Sequence, residues 1–150
     1  PILIEIKYFG FEKTDQKREK LVKKIMRPLL KYQGDYALHS SNPYVVKAGK
    51  EYNVLAPFGQ ISWNDDSVPL KKEARDIHRS GKFIDIIIPD FISYKVQNLA
   101  DESTCNMVKS IAADYGIPVF GWTVKNEEDE RIGRKNCSRL IIEGNTTFCR

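Results

Sequence analysis

Long hydrophobic runs and paired cysteines are what this sequence has least of. Its longest apolar stretches, such as residues 84–88, fall well short of the roughly 20 apolar residues that a membrane-spanning helix needs. The three cysteines are an odd number without CxxC spacing, which argues against a disulfide framework and against a zinc site. We therefore predict a protein of a reducing compartment, cytoplasmic and without a transmembrane segment.

Several catalytic signatures are missing as well. The sequence has neither a GxGxxG nor a P-loop pattern, in which a glycine-rich backbone cradles phosphates, and it has no GxSxG nucleophile elbow. Only two histidines occur. His78 stands in a basic helical stretch and is predicted to be exposed. His39 lies near the end of a predicted strand, where it is either a structural residue or an acid–base group.

What remains is the composition of an ordinary globular domain. Hydrophobic residues make up 41% and charged residues 29% of the 150, which suits a single domain spanning residues 1–150. The net charge of +4 indicates an anionic partner, such as a phosphate-bearing substrate, a nucleic acid or a membrane surface. The excess lies between Lys13 and Lys31, where a solvated helix face is the simpler explanation.

Six segments rich in Ile, Val, Leu or Phe predict buried strands. They are residues 2–8, 36–40, 53–57, 83–89, 119–124 and 139–143.

Helical patterns lie between these strands. The clearest covers residues 14–32, with Thr14 or Asp15 as its N-cap, an apolar stripe from Leu21 to Leu30 and a kink at Pro28. Further helices are predicted over residues 101–115, 126–135, 43–50 and 68–80, and a loop over residues 59–69.

The alternation of strands and helices predicts a parallel α/β fold. Six such units fit either an open doubly wound sheet or part of an eight-unit barrel, and periodicity does not decide between them. The predicted helix after Pro43 leaves a short crossover before the strand at Asn53. We therefore suspect that residues are missing near positions 47–51.

The first strand carries the best candidates for chemistry, because ligands of α/β folds bind beyond the carboxyl ends of the strands. Alternation places Glu5 and Lys7 on one side, opposite Ile4 and Ile6. A carboxylate there binds a hard cation, and a lysine neutralises a phosphate or a developing oxyanion. The alternative is an internal ion pair or simple edge-strand alternation.

Other polar or aromatic residues follow later strands. Residues 39–42 place a histidine, two hydroxyls and an amide at a strand exit, either to bind a polar ligand or to cap the next helix. Trp122 is either an aromatic wall for a ligand or a core residue. Asp65 and Asp66 form either a metal-binding pair or a solvated turn.

Four segments taken in order resemble the glycerophosphodiester phosphodiesterase family. Ile4-Glu5-Ile6-Lys7 is similar to its (I/V)E(I/L)K strand, and Ser40-Ser41-Asn42-Pro43 to its SSFNP strand end, with the aromatic residue missing. Residues 116–125 resemble its G-x-x-V-x-x-W-T-V-N segment, with Lys125 in place of the asparagine. Residues 139–144 match its DGIITD segment loosely. The segment with the tryptophan is the most specific.

This resemblance implies the C-terminal six of the eight βα units of a TIM barrel, strands three to eight. It further implies that Glu5 binds a divalent metal, Mg²⁺ or Ca²⁺, that Lys7 contacts the substrate phosphate and acts in catalysis, and that Trp122 lines the substrate pocket. The family's histidines and remaining metal-binding acids belong to its first two strands and have no counterpart here. We therefore expect an enzyme that hydrolyses glycerophosphodiesters, but an inactive chain if it is complete as written.

Two rival interpretations remain. One is a non-catalytic, barrel-derived module that binds an anionic partner through its basic helix, and the other is an open-sheet enzyme of unrelated chemistry. Aromatic residues are not interleaved with the lysines, so no nucleic-acid partner is predicted. Six units alone would leave two open sheet edges, and such a chain is expected to form homo-oligomers or to aggregate.

Overall fold

The structure is a computed structural model that describes residues 1–66 and 71–144. Within these residues six strands alternate with five α-helices. In chain order the elements are β1 (Ile2–Glu5), α1 (Gln16–Leu29), β2 (Tyr36–Ser40), α2 (Pro43–Tyr52), β3 (Phe58–Ser62), α3 (Lys72–Ser80), β4 (Phe91–Lys95), α4 (Glu102–Tyr115), β5 (Val119–Val124), α5 (Glu127–Asn136) and β6 (Arg139–Ile142).

The chain is divided into two compact units. Among the described residues, the first contains 1–61 and 83–90, and the second contains 62–66, 71–82 and 91–144. In the first unit β1, β2 and β3 pair in parallel, and in the second β4, β5 and β6 do the same. The predicted parallel α/β pattern is confirmed within each unit. The prediction of one domain over residues 1–150 stays a prediction.

The core of the first unit lies between its strands and the two helices α1 and α2. It is built from residues that are buried almost completely: Ile6, Val22, Met26, Leu38, Val45, Val46, Ala56 and Phe58. The stripe predicted for α1 supplies Val22 and Met26 to this core. Leu30, which the same stripe included, is instead 59% exposed, because the helix ends at Leu29, directly after Pro28.

Side-chain caps hold the N-termini of several helices close to their predicted positions. The Asp15 carboxylate accepts a hydrogen bond from the backbone N–H of Lys17 at 2.8 Å, which satisfies a donor that the helix itself leaves open. Asp101 caps α4 in the same way. Gly116 follows α4 with a φ of 64°, a left-handed conformation that glycine adopts without strain.

Two strands were predicted at the wrong positions. Helix α2 continues to Tyr52, and β3 begins only at Phe58, so that all of its residues but the first fall in the predicted loop 59–69. The connection between β2 and β3 therefore spans residues 41–57, long enough for an ordinary parallel crossover. This removes the reason to suspect missing residues near positions 47–51.

The strand predicted over residues 83–89 is also wrong. Phe83 is buried within a short 3₁₀ helix, Lys82–Asp85, and its carbonyl accepts hydrogen bonds from the N–H groups of Ile86 and Ile87 at 3.0 Å. Strand β4 follows at Phe91. A short isoleucine run does not distinguish a strand from a buried turn by periodicity alone. Residues 68–70 of the predicted helix 68–80 lie outside the described residues, and α3 confirms the remainder from Lys72 onward.

Gly49 of α2 makes close packing on β3 achievable. A Cβ atom at this position would overlap the ring of Phe58, which is 1% exposed. Gly49→Ala should therefore destabilise the fold by roughly 1–3 kcal/mol, although alanine favours helices, because overpacking forces a buried ring to move. Urea unfolding measures the change.

Phe58→Leu provides the control for this mechanism. The smaller side chain makes room for the added methyl group, so the double variant should be more stable than the sum of the two single changes by at least about 0.5 kcal/mol. Additive effects, or a Gly49→Ala variant as stable as the wild type, would show that the contact with Phe58 is not what requires glycine.

Candidate functional site

The first unit presents Glu5 and Lys7 where the sequence predicted them. Glu5 is the last residue of β1, and its Oε2 lies 3.7 Å from Nζ of Lys7. The two side chains are 42% and 69% exposed, whereas Ile6 between them is 2% exposed. The predicted alternation is therefore confirmed. The side chains form an ion pair that faces outward from the core of its unit, and their roles with metal and substrate stay predictions.

Polar residues at the end of β2 hold the chain that follows β1. Ser40 Oγ donates to the carbonyl oxygen of Ile6 at 2.7 Å, and Asn42 Nδ2 donates to that of Gly10 at 2.5 Å. The Asn42 Oδ1 accepts from the N–H of Tyr44 and so caps α2. Of the two interpretations offered for residues 39–42, capping is confirmed for Asn42. Ser40 and Asn42 thereby position the segment that carries Lys7.

His39 pairs with Glu5 in the register of β1 and β2 but does not share its exposure. The residue is 8% exposed, and burial lowers the pKa of its imidazole from 6.5 to about 4. At neutral pH the ring is therefore uncharged. A neutral ring inside the unit agrees with a structural role rather than with an acid–base role near neutral pH.

The described residues do not form a complete divalent-cation site. Among residues 1–66 and 71–144, no three His, Cys, Asp or Glu side chains are grouped closely enough to hold a metal ion. Mg²⁺ and Ca²⁺ bind through six or more oxygens, several of them from carboxylates or water. Glu5 offers one carboxylate, so it fits one ligand position and not the whole site.

Trp122 lies on β5 of the second unit. Its Nε1 donates to the carbonyl oxygen of Ser93 at 2.8 Å, and its ring meets that of Trp63 edge-on, with 6.5 Å between the centroids. The residue is half-buried. One edge of the indole is therefore packed within the second unit, and its contact with substrate stays a prediction.

Sequence reasoning missed a polar cluster in the second unit. The Asp65 Oδ2 accepts from Lys95 Nζ at 2.7 Å and from Asn98 Nδ2 at 3.0 Å, and Asn98 Oδ1 accepts from the N–H of Asn64 at 2.7 Å. Asn64 and Asp65 follow β3, and Lys95 ends β4. The signal was available, since all these residues stand at strand exits, but it required correct strand boundaries.

Asp66, in contrast, is the exposed half of the predicted carboxylate pair. Its Oδ1 accepts hydrogen bonds from Arg75 Nη1 at 2.8 Å and from Arg79 Nη2 at 2.9 Å. The hydrogen bond from Arg75 and the charge of Arg79 hold the pKa of this carboxyl below its usual range. The solvated-turn interpretation is therefore confirmed for Asp66 and wrong for Asp65.

His78 was predicted to be exposed and is fully buried. Arg75 and Arg79 of α3 bind Asp66, while Ala74 and His78, one turn apart, form the buried face of the helix. The His78 ring stacks on Trp63 with 4.2 Å between the centroids, and its Nδ1 lies 3.1 Å from Ser62 Oγ. Burial lowers the pKa of His78 to about 4.

Two of the three cysteines lie within the residues that the structure describes. Cys105 and Cys137 are free thiols, and burial raises the pKa of Cys137 to about 11. Cys149 lies outside the described residues. Over residues 1–66 and 71–144, no helix has both the length and the hydrophobicity that crossing a membrane requires.

Comparison with solved structures finds proteins named after the family that the sequence motifs resemble. No family model matches the chain, and no curated protein matches it. A putative glycerophosphoryl diester phosphodiesterase from Silicibacter pomeroyi DSS-3 is similar in structure, with a TM-score of 0.61 and 15% identity over 84% of this chain. A glycerophosphodiester phosphodiesterase from Thermotoga maritima has a TM-score of 0.59 and 17% identity over 93% of this chain.

The structural neighbours are glycerophosphodiester phosphodiesterases. At these identities the similarity shows the fold, and the chain covers 41% and 52% of the two solved chains, about half of their length. The predicted fold class, part of a TIM-like (β/α)8 barrel, is confirmed at this level and replaces the open-sheet alternative. The assignment to strands three to eight stays a prediction.

The buried state of His78 predicts how stability depends on pH. Its pKa in the folded chain, about 4, lies below that of an unfolded chain, about 6.5. As the pH falls below about 6.5 the unfolded chain binds a proton that the folded chain does not, so stability is lost until the pH reaches about 4. His78→Phe should remove up to roughly 3 kcal/mol of this loss, measured by urea unfolding at about pH 7 and about pH 4.

NMR measures the pKa of His78 directly. In a His39→Phe protein His78 is the only histidine, so its Cε1–H resonance is assigned without ambiguity. Its titration midpoint should lie far below 6.5. A midpoint near 6.5 would mean that water reaches the ring and that the stacking on Trp63 does not keep it neutral.

Proposed function

We propose that this chain is part of a metal-dependent phosphodiesterase that hydrolyses glycerophosphodiesters to glycerol 3-phosphate and an alcohol. The observation that supports this most is the exposed Glu5–Lys7 pair at the carboxyl end of a parallel strand, in a chain whose structural neighbours bear that name. In α/β barrels, catalytic residues occupy such strand ends. The substrate, the metal and the reaction belong to the proposal.

Lys7 is the residue to which we assign the phosphate. Its ammonium group is a compact charge on a flexible stem, suited to a phosphate oxygen that gains charge in the transition state. An ion pair as exposed as Glu5–Lys7 contributes little stability, typically about 0–1 kcal/mol. Lys7 would therefore exchange Glu5 for a phosphate at small cost.

Glu5 is assigned as one oxygen ligand of Mg²⁺ or Ca²⁺, which would orient and neutralise the phosphate when bound. The described residues provide no further cluster for that ion, so the other ligands would come from outside them. Trp122 is assigned to the substrate through the half of its indole that is not packed against Trp63. Glu5 and Lys7 form the proposed site of the first unit, and the role of Trp122 in the second unit is a separate assignment.

The test begins with the intact mass of the purified protein, followed by an assay on glycerophosphocholine with and without EDTA. A mass well above 17.3 kDa with EDTA-sensitive release of glycerol 3-phosphate would support the enzyme. A mass of 17.3 kDa with no hydrolysis would reject an active chain and favour a module that binds an anionic partner.

Substitution of Lys7 tests the assignment in the active protein. Lys7→Met should lower kcat/KM by roughly 10²–10³-fold, since removing one group that stabilises developing charge typically costs that much. Glu5→Gln should weaken activation by added Mg²⁺ or Ca²⁺ and leave the unfolding transition unchanged, because the side chain is exposed.

The matched control is the Lys47–Glu51 pair on α2 of the same unit. It has the same charges and similar exposure, with 2.6 Å between Nζ and Oε1. Lys47→Met and Glu51→Gln should leave the rate within about twofold, as expected for a surface ion pair. If Lys7→Met behaved like Lys47→Met, Lys7 would not contact the phosphate.

A further inference from the structure

The net positive charge of the protein comes from helix α1 and its flanks. Residues 13–31 contain eight lysines and arginines and two acids, a net charge of +6 in a chain whose total is +4. No acid occurs between Lys20 and Gly34. The remainder of the chain is therefore slightly acidic, and the excess of positive charge lies in this one segment.

These cations lack the ion pairs that are common elsewhere. Arg18 differs from the other cations of this segment because it is buried. Its guanidinium donates hydrogen bonds to the carbonyl oxygens of Glu12 at 2.6 Å and Lys13 at 3.0 Å. In the described parts of the chain, ion pairs within 4.0 Å involve lysines and arginines of other segments and none from residues 13–31. The α1 charges are solvated.

Four of them form what we call the basic face: Lys20, Lys24 and Arg27 on α1, and Lys31 two residues beyond the end of the helix. The three on α1 follow one another at helical spacings of four and three residues, opposite the buried Val22 and Met26, and all four side chains are exposed. Neighbours in such a row lie roughly 5–6 Å apart at their Cβ atoms, so like charges there repel and destabilise the helix. An anionic surface in contact with the row would relieve that repulsion.

An apolar cluster adjoins the end of this row, and we call it the apolar tip. Leu30, Tyr32 and Leu55 are 59%, 44% and 89% exposed and line one open cleft of the first unit, between the end of α1 and the chain before β3. Val54, beside Leu55, is also exposed. Transfer of such apolar side chains out of water is favourable, and a tyrosine suits a boundary between water and an apolar phase.

We propose that the basic face and the apolar tip bind the surface of a membrane that contains anionic lipids. Peripheral membrane helices combine cations for lipid headgroups with Leu, Phe or Trp that enter the headgroup boundary. Both parts occur here on one unit and next to each other at Lys31. A single-stranded nucleic acid is disfavoured as the occupant, because no aromatic side chain lies within the basic row to stack on bases.

The two parts have separable effects on binding. Each cation near an anionic surface strengthens binding by roughly fivefold, so the basic face confers selectivity for anionic lipid and sensitivity to salt. The apolar tip adds affinity that salt does not screen. Binding should therefore weaken steeply, without vanishing, between about 0.1 M and about 1 M salt, as the screening length falls from about 10 Å to about 3 Å.

The test is sedimentation of the full chain with large vesicles, either pure phosphatidylcholine or phosphatidylcholine mixed with phosphatidylglycerol. The wild-type protein should bind the mixed vesicles and bind the neutral ones far more weakly. Replacing Lys20, Lys24 and Lys31 by glutamine should reduce the partition coefficient on mixed vesicles by roughly 100-fold. The double variant Leu30→Ser, Leu55→Ser should reduce the fraction of vesicle binding that remains at high salt.

A second triple variant provides the matched control. Lys82, Lys109 and Lys135 are exposed, belong to the second unit and take part in none of the ion pairs found among the described residues. Their replacement by glutamine removes the same net charge and should change binding by less than about threefold. All substituted side chains are exposed, so an unchanged unfolding transition checks that each variant is folded.

Three results would overturn the proposal. Equal losses in the two triple variants would mean that net charge alone is responsible. Equal binding to neutral and mixed vesicles would exclude a role for the basic face. Binding to a single-stranded oligonucleotide at the same salt concentration, with none to vesicles, would reassign this surface to nucleic acid.

Discussion

Burial of Ile6 is the constraint on which the candidate site depends. Its side chain is 2% exposed in the core of the first unit, its N–H donates to the carbonyl oxygen of His39 at 2.9 Å, and its own carbonyl accepts from Ser40 at 2.7 Å. Because successive side chains of an extended strand point in opposite directions, fixing Ile6 inward places Glu5 and Lys7 outward. Two charged groups are thus held at a strand end without being part of the core.

The sequence predicted this arrangement well because it depends on local rules. Alternation in residues 4–7, the N-cap Asp15 and the helix that begins after Asp101 each follow from the chemistry of one to four residues. The boundaries of β3 and β4 do not. The isoleucines after Phe83 look like a strand, yet the burial of Phe83 within a 3₁₀ helix and the aspartate at position 90 decide the outcome. Asp90 accepts the N–H of Phe58 at 2.8 Å, a contact 32 residues away in sequence.

The errors about individual side chains have the same origin. His78 looks like a surface residue beside Arg75 and Arg79, and only the position of Asp66 explains why those arginines face one way and the histidine the other. Asp65 looks like its neighbour Asp66, yet it binds Lys95, thirty residues further on. Contacts between distant residues require knowledge of which strand ends are adjacent, and short sequence patterns do not contain it.

The charges of the protein therefore fall into two groups with different physical roles. Charges that meet a partner, such as Lys50 with Asp90 and Lys95 with Asp65, tie strand ends to neighbouring segments of their own unit. The row on α1 meets none, although the same helix commits its opposite side to the core through Val22 and Met26. A helix with that much unrelieved repulsion is less stable than one with alternating charge, since like charges one turn apart oppose folding. Core packing on one side is what allows the other side to remain uniformly basic, and a surface maintained at such a cost is best explained by a partner that carries the opposite charge.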